Sequence, residues 1–283
     1  MMAAERERRL TKSICPSNPL RRSHSDNAPV IPAHLYLLMK LTSRALIAGA
    51  VLGGASVYGY IHYSYLPSIQ VDLLTMQAAQ GLRSSKLQIQ AAAFAGNVRA
   101  IRSEGLRYLN QKDTASVAKG IALLSEAAKN GEQQAALDLG RFYFHGRPGE
   151  RLDYAQARAW LDTIADQLPA AAYYLALMDK NALAGPIDLD KASVELKFAA
   201  KGGVPDALFL LGNAYRSGIG IAKDDTQAVH CFQQAAAQEH PGAILALALA
   251  YQHGEMGLPH DERQAHQLFA LAHDAAKDPP RMP

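Results

Sequence analysis

The 283-residue sequence has only two cysteines, Cys15 and Cys231, and neither a CxxC nor an HxxxH pair occurs in it. That leaves no disulfide framework and no paired zinc ligands. A glycine-rich phosphate loop, a nucleophile elbow and a Ser/His/Asp arrangement are also missing, so the chain reads as non-enzymatic, with no cofactor and no metal. Charge is sparse, at 19% Asp, Glu, Lys and Arg, and it is unevenly spread. Up to Arg44 there are eight basic residues against Glu5, Glu7 and Asp26; the remainder holds 21 basic and 23 acidic residues. The sequence pI of 8.8 therefore reflects the terminus and is no argument for a nucleic-acid partner.

From Ala45 to Val71 no charged residue occurs. A helix over residues 45–66 would be about 33 Å long, enough for a hydrocarbon core of about 30 Å. Tyr58, Tyr60, Tyr63 and Tyr65 gather at its far end, where amphipathic rings favour the interface, and Lys40 and Arg44 flank the near end. The expectation is a single-pass signal anchor in a bacterial inner membrane, with the following domain periplasmic. Cleavage after Ala55 would instead release a secreted protein, and a buried soluble helix is a third reading. Gly49 and Gly53 form a GxxxG pair, which allows a weak homodimer. Residues 1–44 read as a disordered basic cytoplasmic tail; "MKLTSRALIAG" from Met39 would make an alternative start.

The rest of the chain repeats. Gly120, Ala157, Ala192, Ala228 and Ala265 recur at steps of 35 to 37 residues, and four positions before them stand Ser116, Asp153, Asp188, Asp224 and Asp261. A second register starts at Ala135, Ala172, Ala207 and Ala243. Four later come Leu139, Ala176, Leu211 and Leu247; eight later, Tyr143, Lys180, Tyr215 and Tyr251; eleven later, Gly146, Leu183, Gly218 and Gly254. Offsets of 4 and 8 lie on one helical face, so each unit is a helix A ending at the glycine and a helix B opening at the Asp. Small residues let the two backbones approach, and each Asp accepts amide protons of the first turn. The unit containing Ala172 departs: Lys180 replaces the tyrosine, and Gly185 is displaced from the position of Leu183.

"ALFLLGNAYRSGIG" (207–220) followed by "DDTQAVHCFQQAAAQEH" (224–240) resembles the Sel-1-like repeat, a relative of the tetratricopeptide repeat. The resemblance covers four units over residues 135–273, with a shorter one at 105–131. It implies an all-α, right-handed α/α superhelical solenoid, here preceded by one transmembrane helix. The domains are then the tail 1–44, an anchor 45–66, a helical linker 67–96, the repeats 97–276 and a disordered tail 277–283. The implied role is a scaffold or adaptor for protein partners in the bacterial envelope.

Helix A is expected to line the concave side, which leaves offsets 2, 6 and 9 from Ala135 and its equivalents facing a partner. At 100° per residue these lie near 200°, against about 40° for the packing positions. They give Leu137, Tyr174, Phe209 and Leu245; Arg141, Met178, Asn213 and Leu249; Phe144, Asn181, Arg216 and Gln252. The candidate contacts are Arg141, Phe144, Tyr174, Phe209, Asn213 and Arg216, although offset 2 also suits packing between successive A helices. His145 and His253 share a repeat position and read as loop residues. Cys231 aligns with Leu123, Trp160, Glu195 and Leu268 and reads as a core thiol.

Overall fold

The computed structural model describes residues 57–146 and 152–277, and the structural statements that follow refer to these. The chain divides into Met1–Ala55 and Ser56–Pro283. The basic tail, Met39, the Gly49/Gly53 pair, residues 45–56 of the expected anchor and the end of the 277–283 tail all lie outside the described residues. Residues 57–64 are helical, and among the described residues no helix is long and apolar enough to cross a membrane.

No strand occurs among the described residues. After the 57–64 segment come α1 (Ser68–Ala79), α2 (Arg83–Phe94), α3 (Val98–Leu109), α4 (Thr114–Lys129), α5 (Gln133–His145) and α6 (Tyr154–Leu161). They are followed by α7 (Pro169–Lys180), α8 (Leu189–Lys201), α9 (Pro205–Ser217), α10 (Asp225–Ala236), α11 (Pro241–His253) and α12 (Glu262–Lys277). From α3 onward an odd-numbered helix is the A member of a hairpin and the next is its B member. Each helix packs chiefly on its neighbours in sequence, which is the contact pattern of a solenoid. Residues 67–96 are part of that stack and not a linker: α1 and α2 share a core of Val71, Leu74, Ile89 and Ala92 with Ala100 of α3.

The registers mark the core. Ala135, Ala172, Ala207 and Ala243 are buried, and so are Ala157, Ala192, Ala228 and Ala265. Within a hairpin the seam is set by the residue five positions after the A-helix alanine, at Ala100, Ala135 and Ala207. A Cβ on Gly212 would stand 2.7 Å from the Phe232 ring, one on Gly140 2.5 Å from Leu161, and one on Gly105 2.8 Å from Leu124. Glycine there lets a bulky B-helix side chain sit directly on the A backbone, and the Gly105–Gly120 crossing brings two backbones together.

The helix ends follow from local chemistry. Asp153, Asp188, Asp224 and Asp261 each accept the amide proton of the residue three positions on. In the α3–α4 hairpin the cap is Asp113, not the expected Ser116, because α4 starts a turn earlier and Ser116 supplies the amide that Asp113 accepts. α9 and α11 end on left-handed Gly218 and Gly254. α7 has no glycine at that place, and its loop turns through Ala182 and Ala184 at φ of 57° and 59°.

A recurrent turn was absent from the sequence reading. At the B-to-A junctions Gly96, Gly131, Gly203 and Glu239 have positive φ, and the next residue donates its amide to the carbonyl five positions back. This Schellman closure satisfies the last carbonyls of α2, α4, α8 and α10 and sets the A helix that follows each; α6 ends without it.

Candidate partner-binding face

The A helices α5, α7, α9 and α11 carry the expected contact row, and the structure divides it. Leu137, Tyr174 and Met178 are buried. Tyr174 is therefore corrected from a contact residue to a core residue. Helices α5 and α7 touch directly, and the Tyr174 ring fills the space between them. Its ring centroid is 5.1 Å from that of Phe144 and 5.6 Å from that of His145, both edge-on. Its hydroxyl lies 3.2 Å from His145 Nε2. Burial pushes the Tyr174 hydroxyl up and the His145 imidazole down, and the Arg141 charge adds to the second effect.

Phe144 sits at the edge of this aromatic group, half-buried, and also meets Tyr154 of α6 at 5.6 Å. Arg141, one turn earlier on α5, is half-exposed. Phe209 of α9 is half-buried, packing at 6.0 Å from Phe232 and stacking at 4.7 Å on His240. Asn213 is half-exposed, and Arg216 is exposed and donates from Nη2 to Asn213 Oδ1 at 3.1 Å. Further along, Leu245 and Leu249 are exposed on α11, with Asn181 and Gln252 exposed beside the row. The accessible members are thus Arg141, Phe144, Asn213, Arg216, Leu245 and Leu249. That mixture of guanidinium, amide and apolar side chains suits a polypeptide surface.

Two structural sites escaped the sequence reading. His240 is a helix cap: Nδ1 accepts from the Ala243 amide at 3.1 Å, and Nε2 is 3.3 Å from Asp206 Oδ1. In a sequence it looks like any other loop histidine. The other is a charged group around buried Asp179, whose carboxylate is held by Arg158 of α6 and Lys191 of α8, and Lys191 Nζ lies 3.5 Å from Glu195 Oε1. Those four residues span 37 positions from Arg158 to Glu195, and no local motif links them. Cys231 is buried and free, and burial pushes its thiol up. Among the described residues no group of three or more His, Cys, Asp or Glu is placed to hold a metal.

A family model for the Sel1 repeat matches residues 133–167, 205–240 and 241–275. The stretch it passes over, 168–204, contains the aberrant α7–α8 unit with Lys180, the turn through Ala182 and Ala184, and Asp179, Lys191 and Glu195 of the charged group. Among solved structures, a Sel1 repeat protein from Oxalobacter formigenes aligns with a TM-score of 0.65 at 22% identity, over 80% of this chain and 99% of that one. A protective antigen of uropathogenic Escherichia coli displaying an SLR fold aligns with a TM-score of 0.64 at 24% identity over 72% of this chain. The match takes in 45% of that antigen's length. At these identities the likeness is one of fold.

Proposed function

Because the chain carries Sel1 repeats, and Sel1-repeat proteins mediate protein–protein interaction, we propose that its solenoid is a scaffold that binds a protein partner along the A-helix row. The observation that carries this reading is the accessible set Arg141, Phe144, Asn213, Arg216, Leu245 and Leu249 on the A helices α5, α9 and α11. A rigid repeat array presents such a row in fixed register, so an extended or helical segment gains several weak contacts at once. In this reading the uncharged run 45–66 anchors the scaffold in a bacterial inner membrane and the repeats face the periplasm. Lys40 and Arg44 before the run support that orientation.

The test combines capture and fractionation. The full chain is cross-linked in its native cells, and captured proteins are compared between wild type and an Arg141→Ala/Asn213→Ala/Arg216→Ala variant. The variant is expected to melt like wild type and to lose the partner. Equal capture sinks the row as the binding site and points to the A–B loops. Native protein that pellets with membranes and resists high salt supports the anchor. Soluble protein beginning at Ser56 supports release by cleavage instead.

A further inference from the structure

The two ends of the solenoid differ. Terminal repeats of such arrays need a polar outer face, since no further unit covers them. α12, the last described helix, exposes mainly polar residues, Glu262, Arg263, His266, Gln267, His273 and Asp274, with Leu271 as its one large exposed hydrophobic. The first hairpin does not. On α1, Ile69, Leu73 and Met76 are 79%, 53% and 65% exposed. They fall within about 60° of arc, opposite buried Val71 and Leu74. On α2, Leu87 and Phe94 make a second stripe, 65% and 90% exposed, opposite buried Ile89 and Ala92. Both helices are therefore apolar on two sides.

We propose that the outer face of the α1–α2 hairpin lies on a lipid bilayer, with Ile69, Leu73, Met76, Leu87 and Phe94 in the headgroup region. This rests on the anchor reading given above. Three observations single out lipid as the occupant. From Ala45 to Asn97 the only charged residues are Asp72, Arg83 and Lys86, and Arg99 pairs with Asp72, so the charge left on this hairpin is basic and suits anionic headgroups. The stripe is also continuous with the uncharged run, since Ile69 belongs to it and stands three residues after Leu66. Three residues reach at most about 11 Å, so a span ending at Leu66 holds the start of α1 at the membrane surface. Finally, the junction is pinned. Leu66 is buried against the first core, and Asn97 Nδ2 donates to the carbonyls of Ser64 and Leu66 at 3.3 and 3.2 Å. Exposed Tyr58, Tyr60 and Tyr65 immediately upstream are residues that favour the same interface. The solenoid is thereby seated on the membrane by its first hairpin and does not swing on a tether.

The experiment uses the full chain with Cys15→Ser, labelled with bimane at Leu73→Cys or, as a control at the other end, Leu271→Cys. Each is reconstituted into phosphatidylethanolamine–phosphatidylglycerol vesicles with or without doxyl-labelled lipid. Vesicle flotation and circular dichroism are read on the same samples. Flotation with quenching several-fold stronger at position 73 than at 271 is the expected result. Flotation with equal, weak quenching overturns the seating while leaving the anchor intact. Protein that fails to float overturns both. Unlabelled Leu73→Cys chains that copper phenanthroline and air couple into disulfide dimers, while the labelled chains show no lipid quenching, overturn the proposal in favour of a second copy on this face.

Discussion

Glu195 occupies a helix-B position where the other hairpins place Leu123, Trp160, Cys231 and Leu268. Burial, reinforced by the nearby Asp179 charge, pushes its carboxyl from 4.5 up to about 7, and Lys191 offsets only part of this. The folded chain thus keeps this proton where the unfolded chain has lost it. Stability from this residue is intact below 4.5, falls as the pH rises through that window, and is at its lowest above about 7. Glu195→Gln keeps the shape without the charge. Its melting temperature should exceed that of wild type at pH 8, and the difference should vanish near pH 4.5 in thermal melts across the range. Asp179 has the opposite sign. Burial acts to raise it, but Arg158 and Lys191 together hold it below its usual 3.8, so its contribution is present above 3.8 and lost on acidification below it. Asp179→Asn leaves Arg158 without its charge partner and should cost about 2–3 kcal/mol at neutral pH by denaturant unfolding.

At the scale of one hairpin, the seam glycines decide whether A and B can meet. Gly212→Leu forces a branched side chain into space held by Phe232 and should destabilise by about 3 kcal/mol. Gly185→Ala, where a Cβ meets nothing within 4 Å, is the control and should leave the melt unchanged. The turns give a test in the other direction. Glu239 takes the left-handed place that Gly131 and Gly203 fill in other units, at φ of 61°. A side chain there costs about 1 kcal/mol or more, so Glu239→Gly should raise stability by about 0.5 kcal/mol after the looser unfolded chain is counted.

This scale is also where the sequence was most legible. Alanine spacing, the Asp caps and the A-helix glycines are local and recur every 35 to 37 residues, so each unit corroborates the next. Tyr174 was misplaced because offset from a register residue gives an angle on one helix only. Whether α5 closes over that angle depends on how far apart successive A helices stand. The Schellman turns repeat just as faithfully at Gly96, Gly131 and Gly203, but their signal is one glycine at a helix end. Arg158, Asp179, Lys191 and Glu195 become a group only when three helices pack, and no period brings them together.

For the whole molecule, nearest-neighbour packing means that damage at one end should stay local. α12 packs on α11, with Leu268 of α12 against the core that holds Leu247, and α11 otherwise leans on α10. A chain ending at Asp261 loses α12, and α11 is then left with one apolar side uncovered. Mean hydropathy around α11 is high, with Ile244, Leu245, Leu247 and Leu249 in one helix, so uncovering it costs more than most losses of a terminal helix. Circular dichroism of this truncation should therefore show a helicity loss equal to α12 and α11 together, not α12 alone. Trp160, the single tryptophan, reports on the distant α6 and should keep its emission maximum, with a denaturant midpoint close to that of the full chain. A Trp160 transition that shifts together with the helicity loss would mean that the units fold as one cooperative block, and the solenoid's stability would then be global.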